Sequence, residues 1–132
     1  MSNRKEGTTF EQEFCKILGE NQFWVHNIAQ NQTGQPADII AVKNDVPYLI
    51  DCKVCANDKF LFSRVEENQA GAMTLWKVRG NKNCFFALKD SHGHIYMLEY
   101  GILREFQLIY GQRGIYDISK LQTLDEWLEV TK

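Results

Sequence analysis

Apolar residues recur at helical spacing near the N-terminus of this chain. Phe10, Phe14, Ile17 and Leu18 fall at positions i, i+4, i+7 and i+8, which is one stripe of a helix. The stripe begins close to Thr9, where the preceding polar residues end. It predicts an amphipathic helix that packs its apolar side against the rest of the protein.

Two apolar runs, 37–42 and 48–54, follow further along the chain and flank a short polar segment. That segment contains Asn44 and Asp45, which favour tight turns, and Pro47, which suits the beginning of a strand. The pattern therefore predicts a β-hairpin.

The remaining chain alternates between strand-like runs and capped helices. Ser63 and Glu66 match a capping box, which predicts a helix over residues 64–79. Thr123 and Glu126 match a second capping box and predict a short terminal helix. The other expected elements are strands over residues 23–28, 84–88 and 94–98 and a helix over residues 100–109. The element order predicts an α/β fold with a mixed β-sheet flanked by helices.

Length and composition favour one folded unit. The chain has 132 residues, of which 44% are hydrophobic and 12% aromatic, so it can bury a core without metal or disulfide cross-links. We expect a single domain over residues 1–132. Residues 1–8 are predicted to be a flexible N-terminus, and residues 100–132 a helical extension.

The four cysteines are expected to be structural thiols. Cys15, Cys52, Cys55 and Cys84 lie among apolar neighbours, and free cysteine is commonly buried. No apolar run approaches the roughly 20 residues that span a bilayer. The first residues also lack the apolar stretch of a secretory signal. We therefore expect a protein of the reducing cytoplasm that has no membrane partner.

The net charge of −2 argues against a purely electrostatic nucleic-acid binder. The charge is uneven, however. Residues 1–89 contain 11 basic and 10 acidic residues, whereas residues 90–132 contain 4 and 7. A metal bound to a few carboxylates of the first segment would leave that part more basic. DNA binding is therefore compatible with the charge if it is local.

Charged residues interrupt the second strand of the predicted hairpin. Because side chains alternate along a strand, Asp51 and Lys53 share one face with Leu49 and Cys55. Charges on an apolar strand are costly to bury unless they are paired or bind a ligand. Asp38 lies on the other strand, and some registers bring it close to Asp51. Two adjacent carboxylates repel each other, and a divalent cation with oxygen ligands relieves the repulsion.

These residues resemble a known nuclease motif. Asp38, twelve intervening residues and the segment Asp51-Cys52-Lys53 resemble the PD-(D/E)xK motif. Gly7 and Glu11, four residues apart in the first helix, resemble the N-terminal helix of archaeal-type Holliday-junction resolvases and their phage relatives. The resemblance covers roughly residues 4–75. It implies a restriction-endonuclease-like core.

The resemblance also implies an activity and a metal. It implies a structure-selective DNA endonuclease that acts on Holliday junctions or other branched DNA as a homodimer. The short chain also fits a phage or mobile-element gene, so we expect the protein in the cytoplasm of a bacterial or archaeal host cell. Asp38 and Asp51 would ligate Mg²⁺, for which Mn²⁺ could substitute, and the backbone carbonyl of Cys52 would add an oxygen. Lys53 would be the catalytic lysine. Asp51 stands where relatives more often have Glu, which shortens the reach but keeps the ligand chemistry.

Two further site positions are implied by the same resemblance. Glu11 would complete the acidic cluster as catalytic residue and metal ligand. Glu13 is the alternative, although residues at i and i+2 of a helix point in different directions. Gln69, on the helix that follows the motif, matches a Gln that many members place at the site. An exposed helix position is the other interpretation of Gln69.

Polar and basic residues elsewhere are candidates for DNA contacts. The polar loop that precedes Asp38 would line the DNA groove or serve as a linker. The basic cluster near residue 79, which consists of Lys77, Arg79 and Lys82, would contact phosphates or stabilise the negative end of a helix dipole. The expected DNA-binding residues are Arg4, Lys5, Gln32, Thr33, Gln35, Lys77, Arg79 and Lys82.

Three alternatives remain open at this point. The protein could be a nuclease of the same superfamily that acts on flaps, duplexes or replication intermediates. It could also be a non-catalytic DNA-binding module on the same fold. A zinc-stabilised interaction protein would use Cys52 and Cys55 with His92 and His94. Zinc is disfavoured because the two cysteines fall on opposite faces of one strand.

Overall fold

The computed structural model describes residues 3–28 and 37–132. The helices are α1 (Asn3–Glu20), α2 (Glu67–Val78), α3 (Tyr100–Glu105) and α4 (Leu124–Val130). The strands are β1 (Trp24–Asn27), β2 (Ile39–Lys43), β3 (Val46–Val54), β4 (Phe60–Leu61), β5 (Cys84–Lys89), β6 (Ile95–Glu99), β7 (Gly114–Ile115) and β8 (Gln122–Thr123). Two 3-10 turns (Phe62–Arg64 and Ile118–Lys120) and a π-helical turn (Phe106–Tyr110) complete the described elements.

A six-stranded mixed sheet in the order β1-β2-β3-β5-β6-β8 forms the centre of the fold. β3 and β5 run parallel, and the other neighbouring strands run antiparallel. Phe14 of α1 and Trp127 of α4 are buried in a cluster on one face of the sheet. Met73 of α2 and Leu103 of α3 are buried in a cluster on the other face. This arrangement confirms the predicted α/β class and the mixed sheet flanked by helices.

The hairpin of β2 and β3 confirms the turn prediction. Ile39 pairs with Ile50 at one end of the ladder, and Lys43 pairs with Val46 at the other. Asn44 and Asp45 form the turn between them, with φ values of 52° and 67°. Asn and Asp adopt this left-handed conformation more readily than most residues, which explains their position in the turn.

The two faces of β3 also follow the predicted alternation. Ile50 and Cys52 are buried in the cluster that contains α1 residues. Leu49 and Cys55 are buried in the cluster that contains α2 residues. Asp51 and Lys53 therefore lie on the α2 face, as the pattern predicts.

Both long helices begin at different residues from those expected. α1 begins at Asn3 rather than near Thr9, so residues 3–8, expected to be flexible, are helical. α2 begins at Glu67 rather than 64, because Ser63 lies in a 3-10 turn after β4. The predicted capping box of Ser63 is therefore wrong.

Residues 100–132 contain more than the expected helices. The α3 helix continues into a π-helical turn, and two short strands follow. β7 pairs with β4, and β8 extends the main sheet beside β6. Leu103 and Trp127 are almost fully buried, so this segment contributes to both cores. The capping box of Thr123 at the start of α4 is confirmed.

All four cysteines are free thiols, as predicted. Three of them are buried, and Cys15 is partly buried. Within residues 3–28 and 37–132, no helix is long and apolar enough to cross a membrane.

Candidate active site

The hairpin register brings the two predicted carboxylates together. Because Ile39 pairs with Ile50, the next step of the same ladder sets Asp38 opposite Asp51. The backbone N–H of Cys52 donates to Asp38 Oδ2 at 2.8 Å. Both acidic side chains are buried, and Asp51 is only 1% exposed. A two-residue turn at the far end of the hairpin thus determines which acids meet.

Lys53 and Gln69 complete this cluster. Lys53 Nζ lies 3.2 Å from Asp51 Oδ2 and donates to Gln69 Oε1 at 3.2 Å. Gln69 Nε2 donates to Asp51 Oδ1 at 3.1 Å. Gln69 Oε1 also accepts the backbone N–H of Glu66 at 3.2 Å, within the capping box of α2. The beginning of α2 is therefore hydrogen-bonded to the charged residues of β3.

Burial raises the pKa of Asp51 from 3.8 to about 8, and the adjacent Asp38 contributes in the same direction. Lys53 opposes this rise through its positive charge. Asp51 Oδ2 is buried and has no hydrogen-bond partner within the described residues, although the ammonium of Lys53 lies within ion-pair distance. A buried carboxylate oxygen in this state is costly, and a cation would stabilise it.

The donor set fits a hard divalent cation. Asp38 and Asp51 supply carboxylate oxygens, and Mg²⁺ commonly binds one or two carboxylates while water and substrate phosphate supply the rest. In the described parts of the chain, no three His, Cys, Asp or Glu side chains form a ready metal-binding group. The site therefore offers two adjacent carboxylates rather than a closed protein cage. The role of the Cys52 carbonyl as a further ligand stays a prediction.

The cysteines fit a zinc site poorly. Cys52 and Cys55 are buried on opposite faces of the sheet, so their sulfur atoms cannot converge on one ion. Burial, reinforced by the nearby carboxylates, also raises the pKa of the Cys52 thiol well above its usual value. A thiol that keeps its proton is a weak metal ligand.

Glu11, rather than Glu13, is directed toward the interior. Glu11 is 4% exposed, and its charge contributes to the raised pKa of both Cys15 and Cys52. Glu13 instead lies at the surface, where it forms an ion pair of 2.8 Å with Lys89. The structure thus separates the two acids as the helix geometry predicts. The role of Glu11 as a metal ligand stays a prediction.

The basic cluster near residue 79 lies away from these charges. Lys77 is eight residues after Gln69 in α2, which is about 12 Å along the helix axis. It forms an ion pair of 3.2 Å with Glu99. Arg79 and Lys82 follow the helix and are exposed. The structure does not bring these three residues to Asp51 and Lys53.

The other predicted DNA contacts lie outside the part of the chain whose side chains the structure describes. Gln32, Thr33 and Gln35 lie outside the described residues. Arg4 and Lys5 belong to α1, but their side chains also lie outside the described part. Their roles in DNA binding stay predictions.

Arg64 lies beside the cluster, although the sequence offered no signal that marks it as a site residue. Its Nη1 atom donates to the carbonyl oxygen of Val54 at 2.8 Å and lies 3.8 Å from the Cys55 sulfur. The sequence pattern predicts a helix over residues 64–79, in which Arg64 would be the first residue. Only the path of the chain from β4 to α2 places it against the end of β3.

The fold and this cluster together define the class of protein. A mixed sheet that sets Asp38 against Asp51, with Lys53 two residues further along the strand, is the arrangement of a PD-(D/E)xK nuclease. The family model described as archaeal Holliday junction resolvase (Hjc) matches residues 1–130, and the chain belongs to this family. It is therefore a nuclease of a family whose members act on branched DNA.

A solved structure supports the same fold. The chain is similar to Hjc from Archaeoglobus fulgidus, which is described as a Holliday junction resolvase from an archaeal hyperthermophile. The TM-score is 0.66 at 12% sequence identity, and the match covers 92% of this chain and 97% of that chain. A search of curated proteins found no match.

Proposed function

We propose that this protein is a Mg²⁺-dependent endonuclease that cleaves four-way DNA junctions. The observation that carries the proposal is the buried pair of Asp38 and Asp51 beside Lys53, in which Asp51 Oδ2 has no hydrogen-bond partner within the described residues. Two adjacent buried carboxylates beside one ammonium are costly, and a divalent cation would neutralise the remaining negative charge. Family membership supports the branched-DNA substrate.

Asp38 and Asp51 would hold the metal, with the Cys52 carbonyl and Glu11 as further candidates. A bound Mg²⁺, or Mn²⁺ in its place, supplies charge neutralisation and a water of lowered pKa. Lys53 is held by Asp51 and Gln69, so its ammonium is oriented before substrate arrives. In this position it can stabilise the negative charge that develops on the phosphate. These residues support direct hydrolysis without a covalent enzyme intermediate.

We further propose that the active form is a homodimer. Symmetric resolution of a four-way junction requires two cuts, whereas the described residues of one chain hold one such cluster. Leu108, Ile109 and Tyr110 of the π-helical turn are between 61% and 78% exposed. Exposed apolar side chains of this kind are typical of surfaces that a partner covers. The molar mass in solution, measured by light scattering, tests this proposal, and a mass near 15.4 kDa would contradict it.

Cleavage of end-labelled DNA tests the activity. Four-way junction, flap, duplex and single-stranded DNA are incubated with Mg²⁺, Mn²⁺ or EDTA. Lys53→Met and Asp51→Asn should abolish metal-dependent cleavage, whereas Lys120→Met, at an exposed position, should not. Symmetric nicking confined to the junction would support the full proposal.

The other outcomes separate the alternatives. Cleavage of flaps or duplexes in place of junctions would retain the nuclease site and overturn the substrate. Junction binding without cleavage by folded wild-type protein would favour a non-catalytic DNA-binding module.

A further inference from the structure

Arg64 is an exposed cation fixed to the strand that carries the candidate catalytic residues. Its Nη1 atom donates to the Val54 carbonyl, and Val54 directly follows Lys53. Its contact with the Cys55 sulfur places the guanidinium on the α2 face of β3, which is also the face of Asp51 and Lys53. Cys55 lies two residues beyond Lys53, which is about 7 Å along an extended strand.

No carboxylate neutralises this arginine among the ion pairs of the described residues. The nearby Glu66 side chain participates in the capping box of α2. The other N–H donors of this guanidinium are suited to oxygen anions. The carbonyl contact therefore holds a cation in place while most of its donors stay available.

We propose that Arg64 binds a phosphate of the substrate strand next to the phosphate that Lys53 contacts. This inference rests on the proposed function, because it assumes a DNA strand at the cluster of Asp51 and Lys53. A guanidinium can bind a phosphate with two parallel hydrogen bonds, which fixes the position of the strand as well as its affinity. A contact of this kind positions the DNA backbone and does not select its sequence.

The binding experiment measures the affinity for a fluorescent four-way junction by anisotropy in EDTA, at several salt concentrations. Arg64→Gln should weaken binding by about tenfold, since it removes a charge-assisted contact. It should also reduce the slope of log K against log salt by about 1. Arg64→Lys should keep the slope but recover only part of the affinity, because lysine lacks the planar fork.

Arg104→Gln is the matched control. Arg104 is exposed on α3, where it donates to Gln107 at 2.8 Å. We expect this variant to bind like the wild type. Circular dichroism and a urea midpoint establish that each variant is folded.

The outcomes distinguish this inference from the proposed function. Equal affinity and salt slope for Arg64→Gln and Arg104→Gln would overturn the role of Arg64, even if the wild type cleaves junctions. Wild-type protein that binds junctions without cleaving them would overturn the proposed nuclease activity. The comparison of Arg64→Gln with Arg104→Gln would then still decide whether Arg64 binds the DNA backbone. Wild-type protein that binds no junction would overturn both.

Discussion

Asp51→Asn is expected to stabilise the metal-free protein, because it removes one of two adjacent buried charges. The substitution preserves the shape of a side chain that is 1% exposed. The amide oxygen can still accept from Gln69, and the substitution removes a negative charge beside Asp38. The same substitution removes a proposed metal ligand, so stability should rise while cleavage is lost.

The expected effect depends on pH, and its sign follows from the pKa of Asp51. Burial and the neighbouring Asp38 raise this pKa from 3.8 to about 8. Between these values the folded protein holds a proton that the unfolded chain has released. The free energy of unfolding of the wild type therefore falls as pH rises through this window. The variant has no carboxyl group at this position, so its free energy of unfolding lacks this pH dependence.

The attraction of Lys53 already lowers the pKa of Asp51, so it limits the width of this pH window. Each pH unit of the window contributes at most about 1.4 kcal/mol. We expect little difference in the free energy of unfolding at pH 4. At pH 8.5 we expect the variant to be more stable by at least about 2 kcal/mol, which is below the upper limit that the width of the window sets.

Urea unfolding in EDTA, followed by tryptophan fluorescence from pH 4 to 9, measures this difference. Trp127 is almost fully buried, so its emission should report global unfolding. Asp45→Asn is the control, because it makes the same chemical change at an exposed position of the same hairpin. A pH-independent difference for Asp51→Asn, or lower stability than wild type at pH 8.5, would refute the reasoning.

Three further predictions concern the same charges and the core. Mg²⁺ at about 100 times its Kd should raise the free energy of unfolding of the wild type by about 3 kcal/mol at pH 8. A much smaller rise is expected for Asp51→Asn, and urea titrations with and without metal measure both values. Gln69→Ala should lower that free energy by about 1–2 kcal/mol, since it removes a helix cap and a buried hydrogen bond, and it should also slow cleavage. Trp127→Ala should lower it by about 3–5 kcal/mol, because this side chain packs against Phe23, Tyr48 and Phe85; calorimetry and urea unfolding measure the loss.

The hairpin shows how far local pattern can predict this site. Alternation along β3 predicts that Asp51 and Lys53 share a face, and the two core clusters confirm it. The register is a different matter, because it depends on the length of the turn. A two-residue turn at Asn44 and Asp45 pairs Lys43 with Val46, and counting back along both strands then sets Asp38 opposite Asp51.

The start of α2 shows where local pattern fails. Ser63 with Glu66 and Glu66 with Gln69 are overlapping candidates for the same kind of cap. The second pair is formed, because β4 and the 3-10 turn that contains Ser63 carry the chain past the end of β3 before the helix begins. That path is determined by tertiary pairing between distant segments, which no local motif encodes.

Gln69 connects the start of α2 with the candidate site through its side-chain hydrogen bonds. Its amide caps α2 and, at the same time, bridges Asp51 and Lys53. The preceding turn is joined to the same strand through the contact between Arg64 and Val54. A displacement of the start of α2 would therefore move both the proposed phosphate contact and the partner of the candidate catalytic lysine. Because these contacts join groups of the same chain, they orient the charged groups, and substrate binding need not order them.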